Sequence, residues 1–312
     1  MAALSEATVL SRARPPIPIQ AVSDLSTPLH AGETMLLADS GIVFVCGARP
    51  AADANGPRDR LIQYARRHIK GFEFFMAEDV FGTLADADHL NLLAVERVLA
   101  DYSDCIVMIL ETASVFAELG AFAADQRVVK KILVINDLEF KAGRSFITLG
   151  PLAKIEARSQ FSPVIYTDLR CILTAVVQIE RSLAKVRRKR DQRVDFSTLD
   201  AFESARPKHQ ALFLRDLIWF FSPISTTDLL QVIRQLYRAA KPPRIDVQLG
   251  LLAAMGLAKS DVAGHHSAVE FNSVFFRYGG IDPVRLRAGI INYYHKYCPE
   301  RVQSMRGRVN VA

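Results

Sequence analysis

The sequence has no apolar stretch long enough to cross a membrane. A transmembrane helix needs about 18 or more consecutive, mostly apolar residues, and no apolar run in this 312-residue chain approaches that length. The first twenty residues also lack a basic segment followed by a long apolar one, which a secretory signal would show. We therefore expect a cytoplasmic protein without a membrane partner, beginning with a proline-bearing arm over residues 1–40.

Cysteine and histidine are scarce and scattered. The four cysteines form no C-x-x-C pair, and the seven histidines do not cluster with them. A disulfide framework or a zinc site would need such clusters. We expect reduced, buried thiols, with neither a metal nor a bound cofactor.

Acidic residues are in the minority overall, and the two signs of charge are unevenly divided. Residues 1–150 carry 14 Lys/Arg against 19 Asp/Glu, whereas residues 151–312 carry 25 against 14. The basic half is suited to a polyanionic partner.

Apolar runs alternate with amphipathic helical patterns through the first half. The runs read as five strands, at residues 42–46, 72–75, 105–110, 131–136 and 162–168. Strands that alternate with helices indicate right-handed crossovers and a parallel sheet. The sequence thus predicts an α/β domain over residues 41–180, built on a doubly wound parallel sheet.

The predicted strands all end at one edge of this sheet, which collects polar side chains. They are Arg49, Glu78, Asp79, Glu111, Glu118 and Asp137. Ligands of open α/β sheets bind at the carboxyl ends of the strands, so this edge is the leading site candidate.

Glu118 is the residue at this edge best suited to catalysis. It lies among small residues in "VFAELGAF" (115–122), so a ligand can approach closely. A carboxylate there can attack an anomeric carbon, while Glu78, Asp79 and Glu111 stabilise the cationic transition state, hold ribose hydroxyls or protonate the leaving base. From spacing alone, Glu118 fits a solvated helix residue better than a catalytic one, and the other acids also fit helix caps or partners of arginines.

The second half begins with a basic segment and continues as helices. We predict a linker over residues 181–207, with nucleic-acid contacts from its basic side chains. They are Lys185, Arg187, Arg188, Lys189, Arg190 and Arg193. Three helices and a hairpin then predict a winged helix-turn-helix over residues 208–312. Its expected recognition helix, at 244–256, has few side chains that read base edges, which favours backbone contacts or a protein partner. The basic run is also compatible with a solvated helix face.

Several motifs together carry a family resemblance. "VFVCG", "MAEDVF", "LLAVERVLADYSDCIVMILETASVFAELGAF" and "LVINDLEFKAGRSFITLGPL" resemble the first domain of effector proteins that accompany bacterial retron reverse transcriptases. That domain is similar to nucleoside 2-deoxyribosyltransferases. The match covers roughly residues 42–152 and continues in element order through a winged-helix second domain.

The resemblance implies an antiphage toxin that cleaves the N-glycosidic bond of a nucleotide, with NAD as the substrate. The glutamate of its F-x-E-L-G motif is here Glu118, the implied catalytic residue. The implied partners are the reverse transcriptase and its multicopy single-stranded DNA and RNA, in an assembly that controls the toxin.

One loop departs from the family pattern. Related sequences carry a Ser-Pro-Gly-Ser type loop where this chain has Thr112, Ala113, Ser114 and Val115. Without a glycine the loop is stiffer, and Val115 stands where a hydroxyl is expected. Ser114 remains as one hydroxyl for the substrate, and the identity of the nucleotide is open. Gly47, after the first strand, is expected to allow close approach of the substrate.

Two other functions fit the same sequence. One is a nucleotide-sensing, DNA-binding regulator without catalysis, and the other is a deoxyribosyltransferase of nucleoside salvage. The oppositely charged halves would also permit assembly into a higher-order oligomer, which charge alone does not specify.

Overall fold

A computed structural model describes residues 16–37, 40–48, 56–81, 92–186, 191–241, 243–262, 264–269 and 274–306. For residues 81, 92–94 and 303–306 only the backbone is described. Within these ranges, no helix combines the length and the hydropathy that crossing a bilayer requires.

The core of the first half is a five-stranded parallel sheet, as the sequence predicts. Its strands lie in the order β3-β2-β4-β5-β6. Their bounds are β2 Gly41–Cys46, β3 Phe72–Phe75, β4 Cys105–Ile109, β5 Ile132–Asp137 and β6 Ile165–Thr167. The chain runs outward from β2 to β3 and then returns to the other side as β4, so the strand order reverses between β2 and β4. A parallel sheet opens a crevice at such a switch point.

Helices cover both faces of this sheet. Successive strand residues point to opposite sides, so each strand packs against helices on both faces. Val43 and Val107 face a cluster formed with α2 and α7, whereas Phe44 and Met108 face a second cluster formed with α4, α5 and α6. These helices are α2 Pro57–His68, α3 Ala77–Phe81, α4 Leu92–Tyr102, α5 Ala113–Ala124, α6 Ala153–Arg158 and α7 Val176–Leu183.

The helix predicted after β6 is shorter than its sequence pattern indicates. A 3₁₀ stretch, Leu169–Ala175, precedes α7, and Cys171 departs from helical backbone angles. In this stretch the Arg60 side chain binds two carbonyls: its Nη1 donates to that of Arg170 at 2.6 Å and its Nη2 to that of Leu169 at 3.3 Å. Both carbonyls are thereby engaged outside a regular helix.

The second half is mainly helical, with two small antiparallel sheets. Its elements are β7 Gln192–Arg193, α8 Leu199–Ser204, α9 Pro207–Phe221, β8 Ile224–Ser225, α10 Thr226–Tyr237, α11 Asp246–Ala254, β9 Ala258–Ser260, β10 His265–Ala268, β11 Phe276–Tyr278, α12 Pro283–Tyr297 and α13 Pro299–Arg306. Helix α9 is buried over almost its whole length. Strands β8, β10 and β9 form one sheet in that order, so the three helices and hairpin predicted from sequence are present.

The described part of the predicted arm is ordered and packs on the second half. It contains helix α1 (Ile19–His30) and strand β1 (Thr34–Leu36). Strand β1 pairs with β11 on one side and β7 on the other, with Thr34 opposite Tyr278 and Met35 opposite Arg193. This sheet joins three segments that are far apart in sequence.

The two halves share one hydrophobic core and several polar contacts. Helix α11 packs against α3 and α9, and Arg66 of α2 donates to the carbonyl of Ala254 at the end of α11, at 2.9 Å. At the opposite edge of the sheet, Lys208 of α9 lies 2.6 Å from Asp104. The second half therefore braces the sheet at both ends of its strands.

Candidate active site

The candidate site lies at the switch point between β2 and β4. Strand β2 ends at Cys46, which is followed by Gly47, and β4 is followed by Glu111. A side chain at position 47 would place its Cβ 2.9 Å from Glu111 Oε1 and 2.9 Å from Arg58 Cδ. Only glycine fits this position without a shift in its neighbours, because real Cβ atoms essentially never lie that close.

Arg58 organises the predicted residues around Gly47. Its side chain is almost completely buried, and its Nη1 donates to the Gly47 carbonyl at 3.1 Å and to Glu78 Oε1 at 2.8 Å. Glu111 accepts the amide N–H of Ala48 at 2.8 Å. Arg58, which sequence reasoning did not single out, thus binds Gly47 and Glu78, and the neighbouring Ala48 N–H holds Glu111 beside them.

Glu118 projects from α5 toward the end of β2. Burial raises the pKa of its carboxyl, a hydrogen bond from the Cys46 thiol lowers it, and the neighbouring charge of Glu78 raises it. The thiol itself is buried and its pKa is raised, chiefly by that burial and by the negative charge of Glu118. The carboxylate is therefore half-buried and held by a donor, and it does not point freely into bulk solvent.

Glu96 of α4 is a further acid of this cluster that sequence reasoning missed. Burial, followed by repulsion from Glu118 and Glu78, raises the pKa of Glu96 to about 7. The signal was its helical spacing, because Glu96 lies four residues after Leu92 and three before Leu99, on the apolar side of the helix. The cluster thus holds a carboxyl that is divided between its neutral and ionised forms near neutral pH.

Other predicted residues are engaged elsewhere. Burial raises the pKa of Asp79, which pairs with Arg66 at 3.7 Å. Ser114 is exposed, and its hydroxyl lies 3.0 Å from that of Thr112. Asp137 caps the 3₁₀ turn Leu138–Phe140 through the N–H of Glu139. Arg49 lies outside the described residues.

The predicted basic linker is described only at its two ends. Lys185 is exposed and donates to the carbonyl of Ser162 at 3.0 Å. Arg193 lies on β7 and donates to the carbonyl of Gly32 at 2.8 Å, which secures the turn before β1. The remaining positions, Arg187, Arg188, Lys189 and Arg190, lie outside the described residues. Nucleic-acid contact by this segment stays a prediction.

Fold and site together define an α/β protein whose carboxylate cluster lies at the switch point of a parallel sheet. The chain belongs to the STM3845 retron effector protein family, whose model matches residues 55–260.

Two curated relatives come from Escherichia coli. One, named "Retron Ec73 putative ribosyltransferase/DNA-binding protein", is 28% identical over 281 residues, which cover 84% of this chain and 87% of the relative. The other, named "Retron Ec86 putative ribosyltransferase/DNA-binding protein", is 34% identical over 111 residues, or 35% of this chain and 36% of the relative.

Proposed function

We propose that the chain is a nucleotide N-glycosidase that cleaves the bond between sugar and base, with NAD as its substrate and Glu118 as its nucleophile. One observation carries the proposal: Glu118 is half-buried at the switch point, where burial and the neighbouring charge of Glu78 raise the pKa of its carboxyl. Perturbed acids in a crevice are typical of catalytic sites. The names of both relatives include ribosyltransferase, an activity that acts at the same carbon of the sugar.

The first step forms a glycosyl ester. The ionised Glu118 carboxylate attacks the anomeric carbon, the glycosidic bond breaks, and its electron pair moves to the ring nitrogen of the base. Nicotinamide leaves NAD as a neutral molecule, so this step needs no proton donor. The Cys46 thiol favours the ionised form of Glu118, because a hydrogen bond to a carboxylate stabilises its charge. Glu78 and Glu111 add negative charge beside the oxocarbenium-like transition state.

The second step releases the sugar. A water molecule attacks the glycosyl ester, Glu96 accepts a proton from that water, and Glu118 is regenerated as a carboxylate. A pKa of about 7 leaves Glu96 partly ionised at neutral pH, as a base requires. A purine nucleotide would instead use the neutral form of Glu96 to protonate the departing base, so the two substrates predict opposite pH profiles.

We further propose that this activity serves a retron, under the control of its reverse transcriptase and multicopy single-stranded DNA. The family supports the first part, and the excess of Lys/Arg after residue 150 supports contact with nucleic acid. The proposed units are the α/β domain (41–180), the basic linker (181–207) and a winged-helix domain (208–312). The order of helices α9, α10 and α11 before the β9–β10 hairpin supports the last assignment.

A second candidate is a transferase in which an acceptor other than water resolves the glycosyl ester. The names of the two relatives, which include ribosyltransferase, favour this candidate. Base exchange between a deoxynucleoside and a free base would identify a salvage enzyme. Nucleotide binding without any product would identify a regulator.

The test compares Glu118→Gln with Glu180→Gln, a matched change on the exposed surface of α7. Purified proteins are incubated with NAD, alone and with the reverse transcriptase complex, and nicotinamide release is followed by chromatography. We expect Glu118→Gln to lose ~10³-fold or more of the activity and Glu180→Gln to retain it. Equal turnover by both variants would refute the mechanism.

A further inference from the structure

Helix α11, the expected recognition helix, is not available to a nucleic acid. It packs between α3 and α9, and Gln248, Leu251, Leu252 and Ala254 are buried. An element that enters a DNA groove must be free on one side. Any nucleic-acid contact by the helical half must therefore come from another element.

Helix α10 carries a row of polar side chains on its outer side, interrupted by the partly buried Leu230. Leu229, Val232, Ile233 and Leu236 are buried on its inner side. The opposite side carries Thr227, Gln231 and Arg234, whose spacing of three or four residues aligns them along one face, and Arg238 follows directly after the last residue of the helix. Together with Leu230, Gln235 and Ala239, these four residues line a groove of about 630 Å³.

The charge of this face is positive and uncompensated among the described residues. Arg234 and Arg238 are exposed, and neither makes an ion pair with a described carboxylate. Asp228, the one acidic residue in the sequence of α10, is held by Arg301. Two further basic residues, Lys241 and Arg244, are exposed and follow the helix in sequence.

The chemistry of the face fits a phosphodiester backbone. Arginine, lysine, glutamine and threonine side chains donate to phosphate oxygens, and such contacts carry no sequence information. None of the exposed large hydrophobic residues lies on α10 among those described, so the face lacks the apolar anchors that a lipid surface requires.

We propose that the α10 face, formed by Thr227, Gln231, Arg234 and Arg238, binds the phosphate backbone of a single-stranded nucleic acid. The inference rests on the proposed nucleic-acid partner and names the surface that holds it. The face lies on the far side of α10 from the shared core and does not include the carboxylate cluster, so binding and glycosidic cleavage are separable.

The test uses the double variant Arg234→Glu/Arg238→Glu in the full chain. A matched control, Arg285→Glu/Lys296→Glu, makes the same change in charge on exposed positions of α12. Fluorescence anisotropy is measured with a labelled single-stranded DNA of about 20 nucleotides, longer than the ~16-nucleotide footprint of a typical strand-binding domain. The same measurement is made with a duplex of the same sequence, and thermal melting shows whether each variant is folded.

We expect the α10 variant to bind the single strand at least ~10-fold more weakly than wild type, with a salt dependence shallower by about 1.4, because each single-strand phosphate contact contributes ~0.7. The control should bind like wild type, and both variants should cleave NAD as wild type does. Unchanged affinity in the α10 variant, or equal losses in both variants, would overturn the proposal.

Two further outcomes separate this proposal from the enzymatic one. A wild-type protein that cleaves NAD but binds no strand would overturn the α10 surface alone. A protein that binds the strand through α10 but cleaves no nucleotide would refute the glycosidase. Tighter binding of the duplex than of the single strand would overturn the choice of a single strand.

Discussion

Strand β4 has an acidic residue at each end, and the two carboxylates differ in their partners. Asp104, before the strand, accepts the N–H of Ile42 at 3.0 Å and lies 2.6 Å from Lys208 Nζ and 3.5 Å from Arg206 Nη2. Glu111, after the strand, accepts one backbone N–H and senses the charge of Arg58. Burial raises the pKa of Glu111.

The difference extends to the whole of each sheet edge. At the amino end, Lys208 and Arg206 neutralise one carboxylate and join the sheet to α9. At the carboxyl end, the buried Arg58 pairs with Glu78 and attracts Glu118, whereas Glu96 meets only the negative charges of Glu118 and Glu78. Acids matched by cations hold a structure together, whereas acids in excess of cations raise one another's pKa and are suited to proton transfer.

The largest effect on stability is expected at the amino end of the sheet, where cations neutralise Asp104. Lys208→Met leaves the largely buried Asp104 with only the exposed Arg206, 3.5 Å away, as a cation, and the removal of one partner from a buried pair typically costs ~3–5 kcal/mol. The free energy of unfolding, measured by urea titration, should fall by about that amount.

The control for this prediction is an exposed pair. Arg170 and Asp168 lie 3.0 Å apart on the surface, where ion pairs contribute ~0–1 kcal/mol. Arg170→Met should therefore change the unfolding free energy very little. A loss in Lys208→Met no greater than that in Arg170→Met would mean that Asp104 does not depend on its buried lysine.

A smaller effect on stability, of opposite sign, is expected at the carboxyl end of the sheet, where carboxylates outnumber cations. The folded-state pKa of Glu96, about 7, lies above its ordinary value of 4.5. Between these values the unfolded chain loses a proton that the folded chain keeps, so the stability contributed by this group falls as pH rises from about 4.5 to 7. Glu96→Gln should reduce this decline and stabilise the protein at pH 8 by on the order of 1 kcal/mol, after allowance for solvent screening.

Thermal melting at pH 5 and at pH 8 measures this effect, with Glu180→Gln as the exposed control. The same variant should slow release of the sugar, since Glu96 no longer accepts a proton from water. Unaltered pH dependence in Glu96→Gln would show that its carboxyl titrates as an ordinary surface group.

The parallel sheet could be predicted because its strands are continuous apolar runs. The run "FEFF" forms β3 at its predicted bounds, and "CIVMIL" forms β4 within one residue. Strands β1, β7 and β11 were missed because two- or three-residue strands have no periodicity. Their pairing, such as Thr34 with Tyr278, depends on contacts between distant segments.

The acids that follow strands could likewise be placed at one edge from topology alone. Arg58 and Glu96 could not, because both lie within helices, where charged residues are usually solvated. What distinguishes them is tertiary burial: α2 turns Arg58 under the β2 loop, and α4 directs Glu96 toward Glu118. The catalytic and substrate-binding roles of the site residues stay predictions.

The central claim is that the Glu118 carboxylate bonds to the anomeric carbon, and mass spectrometry of the trapped ester tests it most directly. Glu96→Gln, in which release is slowed, is mixed with NAD, digested with trypsin and sequenced by fragmentation. The account predicts that the peptide spanning residues 98–127 gains one ADP-ribosyl group located on Glu118, and that the double variant with Glu118→Gln gains none. Two results would contradict the claim, provided that Glu96→Gln releases nicotinamide. One is an ADP-ribosyl group on a residue other than Glu118, and the other is an unmodified peptide under conditions in which the ester should accumulate.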